Sequence, residues 1–193
     1  MITTKAELKY YLKQDSIALY CSNKKHPKLF GDEIWKFQII LRKAEYYTNA
    51  YRNSKKQYIF HFLWYKLLLH RYSIKLGFSI PINVFGPGLS IAHCGTIVVN
   101  SAAKVGKNCR IQEGVNIGAT NGSCSAPQIG DNVFIGTGAK IIGDITVADD
   151  VAIGANAVVV KTIEEKGCTY GGVPAKKISS NSSHSNLCSA LFE

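Results

Sequence analysis

His93 is the only one of five histidines that lies in the patterned stretch from 85 to 178. A lone imidazole can take up and return a proton near neutral pH. It cannot assemble the cluster of His ligands that a catalytic zinc requires. The six cysteines, at 21, 94, 109, 124, 168 and 188, form no C-x-x-C and no Cys/His pairing at zinc spacing, so no metal is expected. Cys94 adjoins His93 and invites a nucleophile–base reading, yet neighbours on an extended chain point opposite ways. It reads as a small packing residue. Lys161, Lys176 and Lys177 follow late in the chain, each either an anion contact or a solvated charge.

These residues sit in one of two unlike segments. In residues 1–80, 15 Lys/Arg stand against 5 Asp/Glu, whereas residues 81–193 carry 8 of each. With 46% apolar and 19% charged residues the chain can bury a core, which excludes a disordered protein. The first segment reads as helical. Thr4-Lys-Ala-Glu7 is a capping-box pattern, and Ile34, Phe37, Leu41, Ala44 and Tyr51 mark one face of a second helix starting after Gly31-Asp32. A third helix, roughly Tyr58 to Leu76, is aromatic and aliphatic nearly all round, with Lys66, Arg71 and Lys75 set into it. It suits packing on the second segment or on a partner helix, with a membrane-surface role as the alternative. Gly77 and Pro81 close the helical part.

From Phe85 an aliphatic residue returns every six positions, as in Val105, Ile111, Ile117, Ile129, Ile135, Ile141, Val147, Ile153 and Val159. The frame slips by two residues at Ile97-Val98 and is interrupted over Asn121–Gln128. Three places after the aliphatic residue stand Gly88, Asn108, Gly114, Asn132, Gly138, Asp144, Asp150 and Asn156, the residue types that tolerate positive φ best. A tight turn every six residues fits neither a helix nor plain strand alternation. It fits a β-helix of stacked hexapeptides.

The stretch from Phe85 to Ile178 resembles the left-handed β-helix (hexapeptide-repeat) acyltransferases, and within them the serine acetyltransferase group. The segments that carry the resemblance are Gly88-Leu-Ser-Ile-Ala-His93-Cys-Gly95, Gly114-Val-Asn-Ile-Gly118, Ile135-Gly-Thr-Gly-Ala-Lys-Ile-Ile-Gly143, Ile153-Gly-Ala-Asn-Ala-Val158 and Gly172-Val-Pro-Ala-Lys176. The expected fold is mainly β with α: a helical N-terminal segment (1–80), a left-handed parallel β-helix (81–178) and a Ser-rich tail (179–193). The resemblance implies an acetyl-CoA-dependent O-acetyltransferase with His93 as general base, taking the acceptor hydroxyl's proton. It further implies a homotrimer with sites between neighbouring prisms. The acetyl-CoA arm would run along coils holding Gly118, Ala119, Thr137, Gly138 and Ala155, with Lys161, Lys176 and Lys177 meeting its phosphates.

Serine acetyltransferases place Asp residues at the positions of Ala92 and Phe78, and an Arg-His pair where this chain has Ser125-Ala126. Without those charges the expected acceptor is a sugar or lipid-linked glycan hydroxyl in surface-polysaccharide biosynthesis. The alternatives are serine O-acetylation in cysteine biosynthesis and a trimeric scaffold without catalysis. No nucleic-acid partner is expected. An N-terminus without a signal-peptide pattern, and scattered thiols, suit the cytoplasm, with the inner membrane face as the place of any peripheral contact.

One candidate comes from the repeat alone. Three hexads plus the two-residue slip stack His93 on Glu113 in the next coil. A carboxylate there would hold the imidazole tautomer. The other reading leaves Glu113 in solvent and a backbone carbonyl orienting His93.

Overall fold

The computed structural model describes residues 1–53, 56–120 and 122–192; Asn121, at the start of the interrupted stretch, lies outside them. Helix α1 (Lys5–Ala18) opens with the full capping box: Glu7 N–H donates to Thr4 Oγ1, and the Glu7 carboxylate accepts from the backbone N–H of Thr3 and Thr4. Those bonds hold the Glu7 carboxyl down at about 2. Helix α2 (Glu33–Arg52) buries Phe37, Leu41 and Ala44, as the spacing predicts, with Ile34 and Tyr51 half-buried at the edge of that face. Helix α3 (Ile59–Leu76) ends at Gly77 with φ 78°, a left-handed cap that a residue without Cβ adopts at little cost.

The sheet region begins ahead of the hexad pattern, because β1 (Phe78–Ser79) already pairs in parallel with β3 (Ile97–Val99). Three parallel faces wind around one core. The first holds β1, β3, β6 (Asn116–Gly118), β9 (Lys140–Ile142) and β12 (Val158–Val159). The second holds β4 (Lys104–Val105), β7 (Gln128–Ile129) and β10 (Thr146–Val147). The third holds β2 (Ser90–Ile91), β5 (Arg110–Ile111), β8 (Phe134–Ile135), β11 (Ala152–Ile153) and β13 (Thr169–Gly171), closed by antiparallel β14 (Lys176–Ser179). The architecture is a left-handed β-helix with a helical N-terminus. Ile91 pairs with Ile111, Ile111 with Ile135 and Ile135 with Ile153, and all four are buried in one column. Seven of the eight expected corner residues take positive φ; the exception is Asp144, whose neighbour Gly143 turns instead at φ 114°. The chain puts the strained conformation on the residue with no Cβ.

A β-helix must cover its open ends, or the unpaired strand edge becomes a template for other chains. Here the helices supply the cover. Arg42 is fully buried, and its five N–H groups meet five acceptors: both Asp15 oxygens, Glu45 Oε2, and the carbonyls of Phe85 and Gly86. Asp15 Oδ1 also accepts from the N–H groups of Gly88 and Leu89, each at 2.9 Å. Gln38 donates to the Leu89 carbonyl and accepts from Ile91 N–H. Side chains from α1 and α2 thus stand in for the coil that is missing above β2. At the far end the tail returns along the outside: Ser183 bonds to Asn132 and Asp150, His184 Nε2 lies 2.8 Å from Asp150, and the turn at Ser189–Leu191 packs against α1.

Candidate active site

His93 follows β2 at the corner between the third and first faces, and its side chain is exposed. The Ile91–Ile111 and Ile111–Ile135 registers carry the same corner position to Glu113 and then Thr137, and Ile135–Ile153 carries it to Ala155. His93, Glu113, Thr137 and Ala155 therefore form one column down one edge of the prism. Gly95 permits the tight approach of the upper two coils: with φ 143°, a Cβ there would stand 2.9 Å from Glu113 Cβ.

Within this column Glu113 is held from below. Thr137 Oγ1 donates to Glu113 Oε1 at 2.9 Å, while Thr137 N–H donates to Gln112. Glu113 Oε2 is enclosed and takes no hydrogen bond from another described residue. The carboxyl lies below its ordinary range, first through its own backbone N–H, then through the Thr137 hydroxyl, with burial opposing and the attraction of His93 adding to the shift. An ionised carboxylate with one oxygen unclaimed thus sits one coil from the imidazole, although no His93–Glu113 hydrogen bond is formed among the described residues. Cys94 is exposed beside His93, while Cys109, fully enclosed, has its thiol pushed up to about 12 by burial and packs inertly.

The remaining candidates divide between two edges. Thr137 and Gly138 use their N–H groups inside the chain, on Gln112 and on the Glu113 carbonyl, so they offer fewer open backbone groups than expected for an acyl-carrier arm. Ala155 is exposed on that same edge and makes no backbone hydrogen bond among the described residues. Gly118 and Ala119 lie on the next edge, between the first and second faces. Lys161 continues that edge and, with Lys176, borders a cavity of about 240 Å³ together with Val159 and Tyr170. Two cations at one hollow fit the phosphates of a nucleotide-bearing cosubstrate. Lys177 is already paired with Glu165 at 2.6 Å.

Two features lay outside the sequence reading. Lys140 directs its ammonium to the Gly114 carbonyl, next to Glu113, bringing a cation to the His93 edge. Its place follows from the Asn116–Lys140 register, which becomes countable only once the length of the interrupting loop is known. A second feature is a cavity of about 350 Å³ lined by Ala92 and Cys94 and by Asp32, Glu33 and Trp35 from the helical segment.

Residues 126–161 match the family described as bacterial transferase hexapeptide (six repeats). The chain is 39% identical over 100 residues to a serine acetyltransferase of Mycobacterium tuberculosis, covering 51% of this chain and 43% of that protein. This is a hexapeptide-repeat protein with serine acetyltransferase relatives. The enzyme of Haemophilus influenzae is 31% identical over 157 residues, 76% of this chain and 56% of its own length. A stretch of that length necessarily includes His93. The crystal structure of the Brucella abortus serine acetyltransferase in complex with coenzyme A superposes with a TM-score of 0.70 at 28% identity, over 92% of this chain and 70% of that one. The chain spans about half the length of the curated relatives it matches.

These relatives overturn the expectation of a sugar acceptor in polysaccharide biosynthesis. That expectation rested on the charges absent at Ala92, Phe78 and Ser125-Ala126, the last two being the places of a carboxylate clamp. Ser125 is half-buried and Ala126 is buried in the core, and neither carries a charge. A corner site gathers side chains from several coils, however, and the Lys140 ammonium stands at the same edge as His93.

Proposed function

We propose that this protein transfers the acetyl group of acetyl-CoA to the hydroxyl of serine. The observation that carries the reading is the likeness to serine acetyltransferases across a stretch that includes His93 and the coils below it. In this reading His93 removes the serine hydroxyl proton as the oxygen attacks the thioester carbon. The imidazolium then returns that proton to the departing thiolate. Glu113 stabilises the imidazolium, Lys140 offers a cation to the serine carboxylate, and Lys161 with Lys176 hold the phosphates of acetyl-CoA. Ala155 exposes backbone to the pantetheine arm.

The His93 edge and the Lys161 edge are different corners of one prism, so a single chain does not present both to one ligand. Packing of a second copy against the first face would bring one chain's His93 edge beside another's Lys161 edge. A closed trimer satisfies all three pairs at once, and static light scattering on the full chain is expected to give the trimer mass.

The proposal is tested by thiol release from acetyl-CoA with and without serine. Release that depends on serine is expected; coenzyme A binding without serine-dependent release would leave a scaffold in place of an enzyme. Glu113→Gln is expected to lower kcat on the order of tenfold, short of the roughly 10⁴-fold loss when a triad carboxylate becomes an amide. The KM for acetyl-CoA should be unchanged, since the Glu113 carboxylate acts on the imidazole by its charge and is held by Thr137, away from the Lys161–Lys176 hollow. Full activity in that variant would assign the orienting task to the backbone.

A further inference from the structure

We propose that the outward face of α3 docks on an anionic lipid surface. The proposal is independent of the acetyl transfer assigned above. Phe60, Leu63, Trp64, Leu67 and Ile74 recur at helical spacing, and all are exposed; Phe60 is 79%, Trp64 57% and Ile74 70% accessible. The opposite side of α3 meets α2, where Tyr65 stacks on Tyr47 and Phe62 on Tyr51. The expectation that α3 packs on the β-helix holds only at its C-terminal end, where Leu76 is buried beside β1. The stripe is therefore an apolar face with no cover among the described residues.

Charge selects the occupant. Among its 18 residues α3 has no Asp or Glu. Arg71 falls within the stripe, and Lys66 and Lys75 are exposed to either side of it. A second copy of this face would set cation against cation, whereas lipid phosphates complement it. Apolar residues in the acyl boundary, cations at the headgroups and a tryptophan between them are what an interface-lying helix presents. No described helix is long and apolar enough to cross a membrane.

A second feature lies next to this one. Leu29 and Phe30, 82% and 86% accessible, end a loop that also carries Lys24, Lys25 and Lys28. The loop is tied to the C-terminal end of α3 by a run of contacts: the Leu29 carbonyl accepts from Lys36, Lys36 pairs with Glu33, and Glu33 pairs with Lys75. Two exposed apolar side chains amid lysines thus extend the same chemistry beyond the helix.

Sedimentation of the full chain with vesicles tests this, using phosphatidylcholine alone against an equal mixture with phosphatidylglycerol. Binding is expected only to the mixed vesicles, weakening with salt as a headgroup contact must, with a blue shift of tryptophan fluorescence as Trp64 enters the interface. Arg71→Gln should weaken binding about fivefold. The double variant Trp64→Ser/Leu67→Ser should weaken it at least about tenfold and abolish the blue shift. All these side chains are exposed, so circular dichroism should be unchanged. Absence of binding, or equal binding to neutral vesicles, would overturn the proposal. So would a mass by light scattering that falls in the double variant, which would show that the stripe covers another copy.

Discussion

Replacing His93 by alanine is expected to lower acetyl transfer by roughly 10²–10⁴-fold, the usual cost of losing a positioned general base. Coenzyme A should bind the variant as before. The reason lies in the geometry: His93 is on one edge of the prism, while Lys161 and Lys176 border a hollow on the C-terminal coils. The side chain is exposed and makes no hydrogen bond that the fold depends on among the described residues, so the variant should unfold at the same urea concentration. Single-turnover rates with a coenzyme A binding isotherm on the same sample separate the two effects. Near-normal turnover would remove His93 from the mechanism.

The largest effect on stability is expected at Arg42. Arg42→Met removes the one guanidinium that satisfies Asp15 and Glu45 and two carbonyls of the first coil. Removing one partner of a buried ion pair costs about 3–5 kcal/mol, because the buried charge left behind has no counter-ion; Asp15 would keep only the N–H groups of Gly88 and Leu89, and Glu45 that of Asn83. Two carboxylates are left here. Burial already pushes the Glu45 carboxyl up, against the pull of Arg42. The midpoint of urea unfolding should fall by the corresponding amount. Replacing Asp15 and Glu45 by apolar residues as well should not restore it, since the carbonyls of Phe85 and Gly86 would still lack partners and the N–H groups of Gly88 and Leu89 would lose theirs. A small shift in the midpoint would show that other contacts hold the helices on the first coil.

The β-helix was legible because its core is one-dimensional. Ile91, Ile111, Ile135 and Ile153 stack in register, so a period in sequence is a column in space, and the slip at Ile97-Val98 could be counted to place Glu113 under His93. Asp144 shows the grain of that reading: composition marks a turn, but the choice between Gly143 and Asp144 is settled by local backbone geometry. The helices yielded their bounds through Thr4, Gly31-Asp32 and Gly77. They did not yield Arg42, Asp15 and Glu45 as a buried lock, because polar residues on an amphipathic helix look like a solvated face until the sheet edge they cap is in place. Lys140 escaped for a related reason. Its partner Gly114 is one coil away, across a loop whose length breaks the count. The acceptor is not legible at Ser125-Ala126 alone, because a charge missing from one loop is not missing from the whole site: in a stacked fold the coil below can supply one.

The account stands most directly on the product formed from acetyl-CoA and serine. Mass spectrometry of the full chain's reaction should show O-acetylserine accumulating in proportion to coenzyme A released, with the His93→Ala sample slower by roughly 10²–10⁴-fold. Coenzyme A release without O-acetylserine, or O-acetylserine formed equally by both proteins, would contradict it.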